Sequence, residues 1–498
     1  MAAMDWPPLT PSLVLRLLCL AFVCGIGIHS LDERVWGATT WAALAAVFCI
    51  TAMAIKKLGF WAVVCLAGAF AAAGIWRFDL SLSSADRLVV PTVRQEFSGQ
   101  LSSAISDQRG QRLDLIVVRG ADGTGYAPAE LYVVSAVAYR IGDRISWTCQ
   151  PREIRPAQSA FERRWSCRPT DGPQLVSASP FYSLGRNFDA VRSALRRAAG
   201  IIWPEPEASF ILGLLTGDDS GLTARDRQSF RDAGLSHVLA ASGFNVARVA
   251  DAALIMLAVG SIRRRRAAVG AMVAVAFFAG LTGNAASAVR AALMGGLALL
   301  ATALGKRYSS ATALPLAAAV MLVFDPAALR HDLGFQLSFA AVWGLTAFGA
   351  AFEMRMAFLP AKFGLRRTAA ETTAATVATL PLLLWAFGAV PLLTLPANLA
   401  VLPVIPWIMA IAAGTLACGA LSSWFAQALS PLAWLPSAYA VRAAAFFASF
   451  SDASLRLAPG PFAVACLYSC LLLLSAALRR LDDERDRLVR LTARISHD

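Results

Sequence analysis

Between Gly234 and Val249 the chain reads Gly-Leu-Ser-His-Val-Leu-Ala-Ala-Ser-Gly-Phe-Asn-Val-Ala-Arg-Val. This apolar run carries His237, Ser242, Asn245 and Arg248 where a lipid-facing helix would carry leucine. An arginine inside a bilayer costs at least ~2.5 kcal/mol on insertion scales, so its presence calls for a polar partner or a wet cavity. Two chemistries use such residues: attack by a serine with an imidazole beside it, and passage of a solute along a polar stripe. The first lacks its other parts. No Gly-x-Ser-x-Gly turn surrounds Ser242, no Walker loop occurs, and the four histidines (His29, His237, His331, His497) are not grouped as metal ligands. The reading is therefore of a protein that is not an enzyme and needs no cofactor or metal.

Other polar residues recur in apolar surroundings. Arg248 and Asp251 are three apart, so they can meet along one helical turn; mutual neutralisation and a direct role in transport both remain open. Asn284, Ser287 and Arg290, with Met294 beyond, share one face of a further helix. Gln336 and Ser338 enter an apolar run that follows His331 and Asp332, where hydrogen bonds between helices could hold them at ~0.6 kcal/mol each. Asn398 lies among Pro396, Pro403 and Pro406, as expected where a helix is kinked or broken to line a cavity.

The elements that must position these residues are membrane helices. The chain has 498 residues, 57% of them hydrophobic and only 15% charged, which excludes a single soluble core. Apolar runs near the ~20 residues of a bilayer span cover 12–29, 38–55, 58–76, 236–260, 267–283, 285–304, 310–324, 332–350, 368–388, 397–419, 429–449 and 460–478. Lys56-Lys57, Arg263 to Arg266, Lys306-Arg307, Arg355 to Arg367 and the tail from Arg479 fall on alternate loops, which predicts both termini in the cytoplasm. The same topological bias accounts for most of the formal charge of +13, although a phosphate-rich partner would also suit it.

Residues 94–180 change texture. Short alternating runs such as Arg112 to Val118, Glu130 to Ser135 and Arg144 to Cys149, separated by turn signals, predict a small external β-barrel of the OB type inserted after the third helix. Cys149 and Cys167 are expected to form a disulfide there if the compartment is oxidising; the other seven cysteines read as buried hydrophobes. Arg109, Arg112, Arg140, Arg144, Arg152, Arg155, Arg163 and Arg164, with Trp147 and Trp165, could form a stacking groove for a nucleic acid strand. Interleaved Asp107, Asp114, Asp143, Glu153 and Glu162 favour a solvated surface of mixed charge. Residues 186–233 read as amphipathic interfacial helices, with a capping box opening at Thr223 and Asp226.

Taken in order, Leu215-Thr-Gly-Asp218, Leu222, Phe230, Gly234 to Gly243, Ser287-Ala-Val-Arg-Ala291 with Met294, Gly334-Phe-Gln-Leu-Ser338, and Asn398 with Pro403 resemble the competence region of the ComEC family. The motifs cover roughly residues 207–410. The resemblance implies an inner-membrane channel for DNA uptake in natural transformation. It implies as partners single-stranded DNA, a periplasmic DNA-delivery protein, and a cytoplasmic helicase or strand-binding proteins. Two departures stand out. Asn245 replaces the histidine usual in the family's Ser-Gly-x-His, and the metallo-β-lactamase-like domain of many members has no counterpart before Asp498, so any nuclease is expected to be a separate chain.

The expected architecture is a polytopic α-helical membrane protein of about 12 transmembrane helices: 1–80 N-terminal helices, 90–180 a periplasmic OB-fold-like domain, 186–233 interfacial helices, 234–480 the competence-type channel domain and 481–498 a cytoplasmic tail. His237, Ser242, Asn245, Arg248, Ser287, Arg290, Gln336, Ser338 and Asn398 are its expected lining. A transporter of another anionic or lipid-linked substrate on the same scaffold is the alternative.

Overall fold

The computed structural model describes residues 10–31, 45, 59–86, 90–107, 110–121, 124–133, 144–153, 165–169, 173–177, 183–239, 243–282, 286–306, 309–361, 364–450 and 454–495. The chain divides into two compact units, Met1–Ala194 with Pro315–Leu333, and Leu195–Leu314 with Gly334–Asp498.

In the first unit, α1 (Pro11–Leu31) packs on α2 (Gly59–Asp86). The expected span at 38–55 lies outside the described residues. Glycine makes the approach of α1 and α2 possible: a Cβ on Gly25 would sit 2.1 Å from the Ala71 carbonyl oxygen, and one on Gly74 2.2 Å from that of Phe22. Backbone contact of this kind is how helices associate where lipid removes the hydrophobic drive. One turn beyond Gly25 and Gly74, His29 Nε2 lies 3.3 Å from Asp79 Oδ1, both side chains being almost wholly buried. Arg77 donates from Nε and Nη2 to the Val323 and Phe324 carbonyls at 2.7 and 3.0 Å. It thereby satisfies orphan acceptors at the end of α10 (Ser310–Phe324).

The β region folds from strands β1 (Gln95–Asp107), β2 (Gly110–Gly120), β3 (Gly125–Tyr126), β4 (Ala129–Val133), β5 (Arg144–Cys149), β6 (Arg152–Glu153), β7 (Trp165–Cys167) and β8 (Gln174–Ser177). Alternation sends Phe97, Leu101, Leu113, Leu115, Leu131, Ile145, Trp147 and Trp165 into one core. The strand order is β6-β7-β4-β2-β1-β5-β8, with β3 on β2. No barrel is closed among the described residues. The chain nevertheless leaves β5, passes Gln150 and Pro151, and continues as β6 against β7. The Cys149–Cys167 disulfide forms, with its Cα atoms 6.1 Å apart, and so ties β5 to β7, which stand four places apart in the sheet.

Trp147 and Trp165 do not form a stacking surface. Both are buried, with Trp165 4.8 Å and Trp147 6.0 Å from the Phe97 ring, because each points inward from its strand. Arg144 and Arg152 are exposed, and Arg109, Arg140, Arg155, Arg163 and Arg164 lie outside the described residues.

Helix α3 (Ser183–Ile202) leads into the second unit. The segment 186–233 is not uniform. α3 has an amphipathic sequence, but α4 (Glu207–Thr216) is apolar on all sides and buried nearly throughout, because Ala208 to Leu215 carries no charged residue. α5 (Ala224–Asp232) is polar and opens with the expected capping box: Thr223 Oγ1 accepts from the Asp226 amide at 3.1 Å, and Asp226 accepts from the Thr223 amide at 3.3 Å. Phe210 of α4 stacks on Phe230 of α5 at 5.3 Å.

Next come α6 (Ser236–Leu239), α7 (Gly243–Val259), α8 (Arg264–Leu281) and α9 (Ala286–Ala303), the last three packed together. Of the run read at 236–260, Ser236–Leu239 and Gly243–Val259 are described and both are helical. α11 (Ala328–His331) is one short turn before α12 (Leu333–Arg355), and α13 (Leu365–Phe387) follows. The span expected at 397–419 is divided, into α14 (Thr394–Val401) and α15 (Ile405–Leu421). Pro403 has no N–H to continue the ladder, and Leu402 to Val404 form the turn between them. α16 (Ser423–Ala448) packs on α15, and α17 (Pro461–Ile495) ends the described chain. A two-stranded sheet, β9 (Ala389–Pro391) with β10 (Ser454–Arg456), ties the loop after α13 to the loop after α16.

Six described helical segments are long and apolar enough to cross a membrane: Pro11–Ser30, Val63–Ser81, Leu333–Arg355, Leu365–Phe387, Thr394–Leu421 and Pro461–Leu478. Ser287–Ala303 and Ser310–Phe324 are apolar but shorter.

Candidate functional site

The polar residues that opened the sequence reading sit mainly in the second unit. α4 ends at Gly217, which takes φ +71° and donates its amide to the Gly213 carbonyl at 3.0 Å. The last carbonyls of α4 therefore need outside donors. Asn245, in the first turn of α7, supplies one: its Nδ2 reaches the Leu214 carbonyl at 3.4 Å. Asn245 is fully buried, and its Oδ1 has no hydrogen-bond partner among the described residues. Leaving a buried amide oxygen unsatisfied costs about 1–3 kcal/mol, so this position carries an acceptor that packing alone does not require.

Asn398 on α14 repeats the arrangement. It is 3% exposed, and its Oδ1 is also without a partner, while its backbone carbonyl accepts from Leu402 at 2.9 Å across the helix break. The loop before α6 is held against the start of α14. Gly234 has φ +72°, and a Cβ there would lie 2.2 Å from Thr394 Oγ1. Leu214, Leu239, Ala397 and Val401 belong to one core, with Phe244 packed against it. The structure thus gathers the surroundings of Asn245 and Asn398 into the same packed region.

Arg290 is buried to 4% exposure on α9, and Ser287 one turn earlier is half-buried. α9 meets the start of α7 closely: a Cβ on Gly243 would be 3.6 Å from that of Ala291. Arg248 binds Asp251 through Nη2 to Oδ2 at 3.2 Å, and its guanidinium lies 5.2 Å from the centre of the Phe244 ring. Mutual neutralisation is therefore made, and Arg248 Nε remains without a partner. His237 is exposed on α6. Gln336 and Ser338 are half-buried on α12, whose Gly344 approaches the Ala374 carbonyl of α13. Ser242 and Asn284 lie outside the described residues.

Asp218, in the loop after α4, is pinned by Arg196 and by Ser220, whose hydroxyl donates to Oδ1 at 2.6 Å. Burial pushes its carboxyl pKa up, but the hydrogen bonds from Ser220 and Arg196 and the charge of Arg196 outweigh that and hold it below its ordinary value. Sequence reasoning placed Asp218 in a motif without a role. It missed His29 and Asp79 altogether, although a histidine and an aspartate at the ends of two apolar runs were visible. Among the described residues no group of histidine, cysteine, aspartate and glutamate could hold a metal.

Long apolar helices, one membrane-length segment broken at Leu402 to Val404, with Asn245, Arg290 and Asn398 buried among them, define a helical membrane protein. A family model described as Competence protein matches residues 214–482, more than half of the chain, and the chain belongs to that family. It is 32% identical over 208 residues to ComE operon protein 3 of Bacillus subtilis (strain 168), an alignment covering 39% of this chain and 26% of that protein. The chain thus spans about a quarter of the length of this relative. No solved structure matches.

Proposed function

We propose that the protein is an inner-membrane channel that passes single-stranded DNA into the cytoplasm during natural transformation. The observation that carries this reading is the burial of Asn245, Arg290 and Asn398 within apolar helices of the competence-matching region. A strand is a polyanion; an arginine beside its path offsets desolvation, while neutral amides hold it without trapping it. Exposure of 0–4% means that these groups are sealed in this conformation, so the strand passes only when the helices part.

On this reading the spans number about twelve, including α7 to α10, α16 and residues 38–55, with both termini cytoplasmic by the positive-inside bias. The β region is a periplasmic OB-like barrel, a reading supported by the chain's course from β5 through Gln150 and Pro151 into β6, which pairs with β7, and by the disulfide between β5 and β7. The partners are a periplasmic DNA-delivery protein and a cytoplasmic helicase or strand-binding proteins. The motive force comes from those partners.

The break at Leu402 to Val404 also suits a transporter of another anionic or lipid-linked solute. Chromosomal-marker uptake separates the two. Arg290→Ala and Gln336→Ala are each expected to lower transformation about tenfold or more, the factor for ~1.4 kcal/mol of lost stabilisation. Membrane abundance is checked by blotting. Undiminished transformation at equal abundance would remove these residues from the lining, and undiminished transformation in a complete deletion would leave the transporter.

A further inference from the structure

A groove of about 570 Å³ runs along α16, lined by Trp434, Leu435, Tyr439, Phe446 and Phe447, with Arg442 the one charged residue in its wall. We propose that this groove holds a single anionic phospholipid, its acyl chains along the aromatic wall and its phosphate on Arg442. The site lies beside the polar interior described above and does not depend on what that interior carries.

Four observations point to this occupant. The first is depth: α16 packs on α15, part of the membrane-length segment Thr394–Leu421. The second is length. From Arg442 back to Trp434 the helix rises about 12 Å, most of the ~15 Å that the chains of one leaflet occupy. The third is charge. Arg442 is exposed, stands six residues or about 9 Å from the end of α16, and has no ion pair or hydrogen bond among the described residues. A guanidinium at that depth is costly unless an anion meets it, and a lipid phosphate is the anion available at the headgroup level. The fourth is that polar groups elsewhere in the wall are few: Tyr439 donates its hydroxyl to the Ala400 carbonyl at 3.2 Å, and Trp434 Nε1 is buried without a partner.

Aromatic rings beside an arginine also describe a surface for stacked bases. A DNA strand, however, brings one phosphate per nucleotide, whereas this wall offers a single cation among apolar side chains. One phosphate and a long apolar body fit it better.

The test uses the full-length protein in neutral detergent, without DNA, so its outcome is separate from that of the transformation assay. Native mass spectrometry follows titration with phosphatidylglycerol or phosphatidylcholine. Retention of phosphatidylglycerol is expected to exceed that of phosphatidylcholine, to fall roughly fivefold in Arg442→Gln, and to recover in Arg442→Lys, as expected for one basic residue at an anionic headgroup. Phosphatidylglycerol with a photoreactive acyl chain, applied to the unaltered protein, is expected to label residues 434–447. This arm stands even if Arg442→Gln does not fold. Equal retention of the two lipids, labelling confined to other helices, or displacement of the label by a thymidine oligonucleotide would overturn the proposal; the last outcome would make the groove a strand-binding surface.

Discussion

Asn245 keeps an amide where the family pattern has an imidazole; either group can donate from one atom and accept at another, and here it is the amide nitrogen that donates to the Leu214 carbonyl. Its nitrogen closes the end of α4 while its oxygen stays available. Asp218 works at the other side of the same helix end. Its carboxyl sits below its ordinary 3.8, so the contribution it makes is present above the unfolded value and disappears as pH falls through the folded one. Asp218→Asn is therefore expected to cost about 1 kcal/mol in detergent-solubilised protein at pH 7, because Arg196 is well exposed and its attraction is screened. The difference should shrink as pH falls below 3.8 and disappear only once the folded carboxyl is itself protonated. Thermal unfolding of the two proteins at neutral and at acid pH checks the sign; a difference that grows on acidification would contradict it.

The helical elements divide where the chain cannot continue, and these divisions position the site. Gly234 sets the turn into α6 at φ +72° against Thr394, whose hydroxyl donates to the Pro391 carbonyl at 2.7 Å. Gly234→Ala must both adopt a left-handed backbone and displace that side chain, a cost of roughly 2 kcal/mol or more. A lowered unfolding temperature and reduced membrane abundance are the expected readouts, and a variant as stable as the parent would show that the contact is slack. Much of this level was legible in the sequence. Apolar runs marked most helices to within a few residues, and Thr223 with Asp226 marked the start of α5. Composition could not tell an inward tryptophan from an outward one, so a stacking role for Trp147 and Trp165 stayed open beside the favoured mixed-charge surface, whereas register makes them core. Nor could it show that the apolar stretch 397–419 is broken at Leu402 to Val404, since a proline marks a kink and a break alike. The pairing of His29 with Asp79 depends on two helices distant in sequence and had no local signal.

At the scale of the molecule, a family match over residues 214–482 assigns the chain to the competence proteins, and Asn245, Arg290 and Asn398 are buried within that stretch. Asn245 and Asn398 could be placed in a site from their types, but only the fold shows that both present an oxygen without a partner. The central claim is that incoming DNA passes these residues. The most direct measurement places a photo-crosslinking residue at position 245 or 290, or at Trp407 on the exposed face of α15 as a control, in transformable cells taking up end-labelled DNA. The account expects labelled single strands on the protein altered at position 245 or 290 and none at position 407. Normal uptake with no crosslink at either interior position, or crosslinks equal at all three, would contradict it.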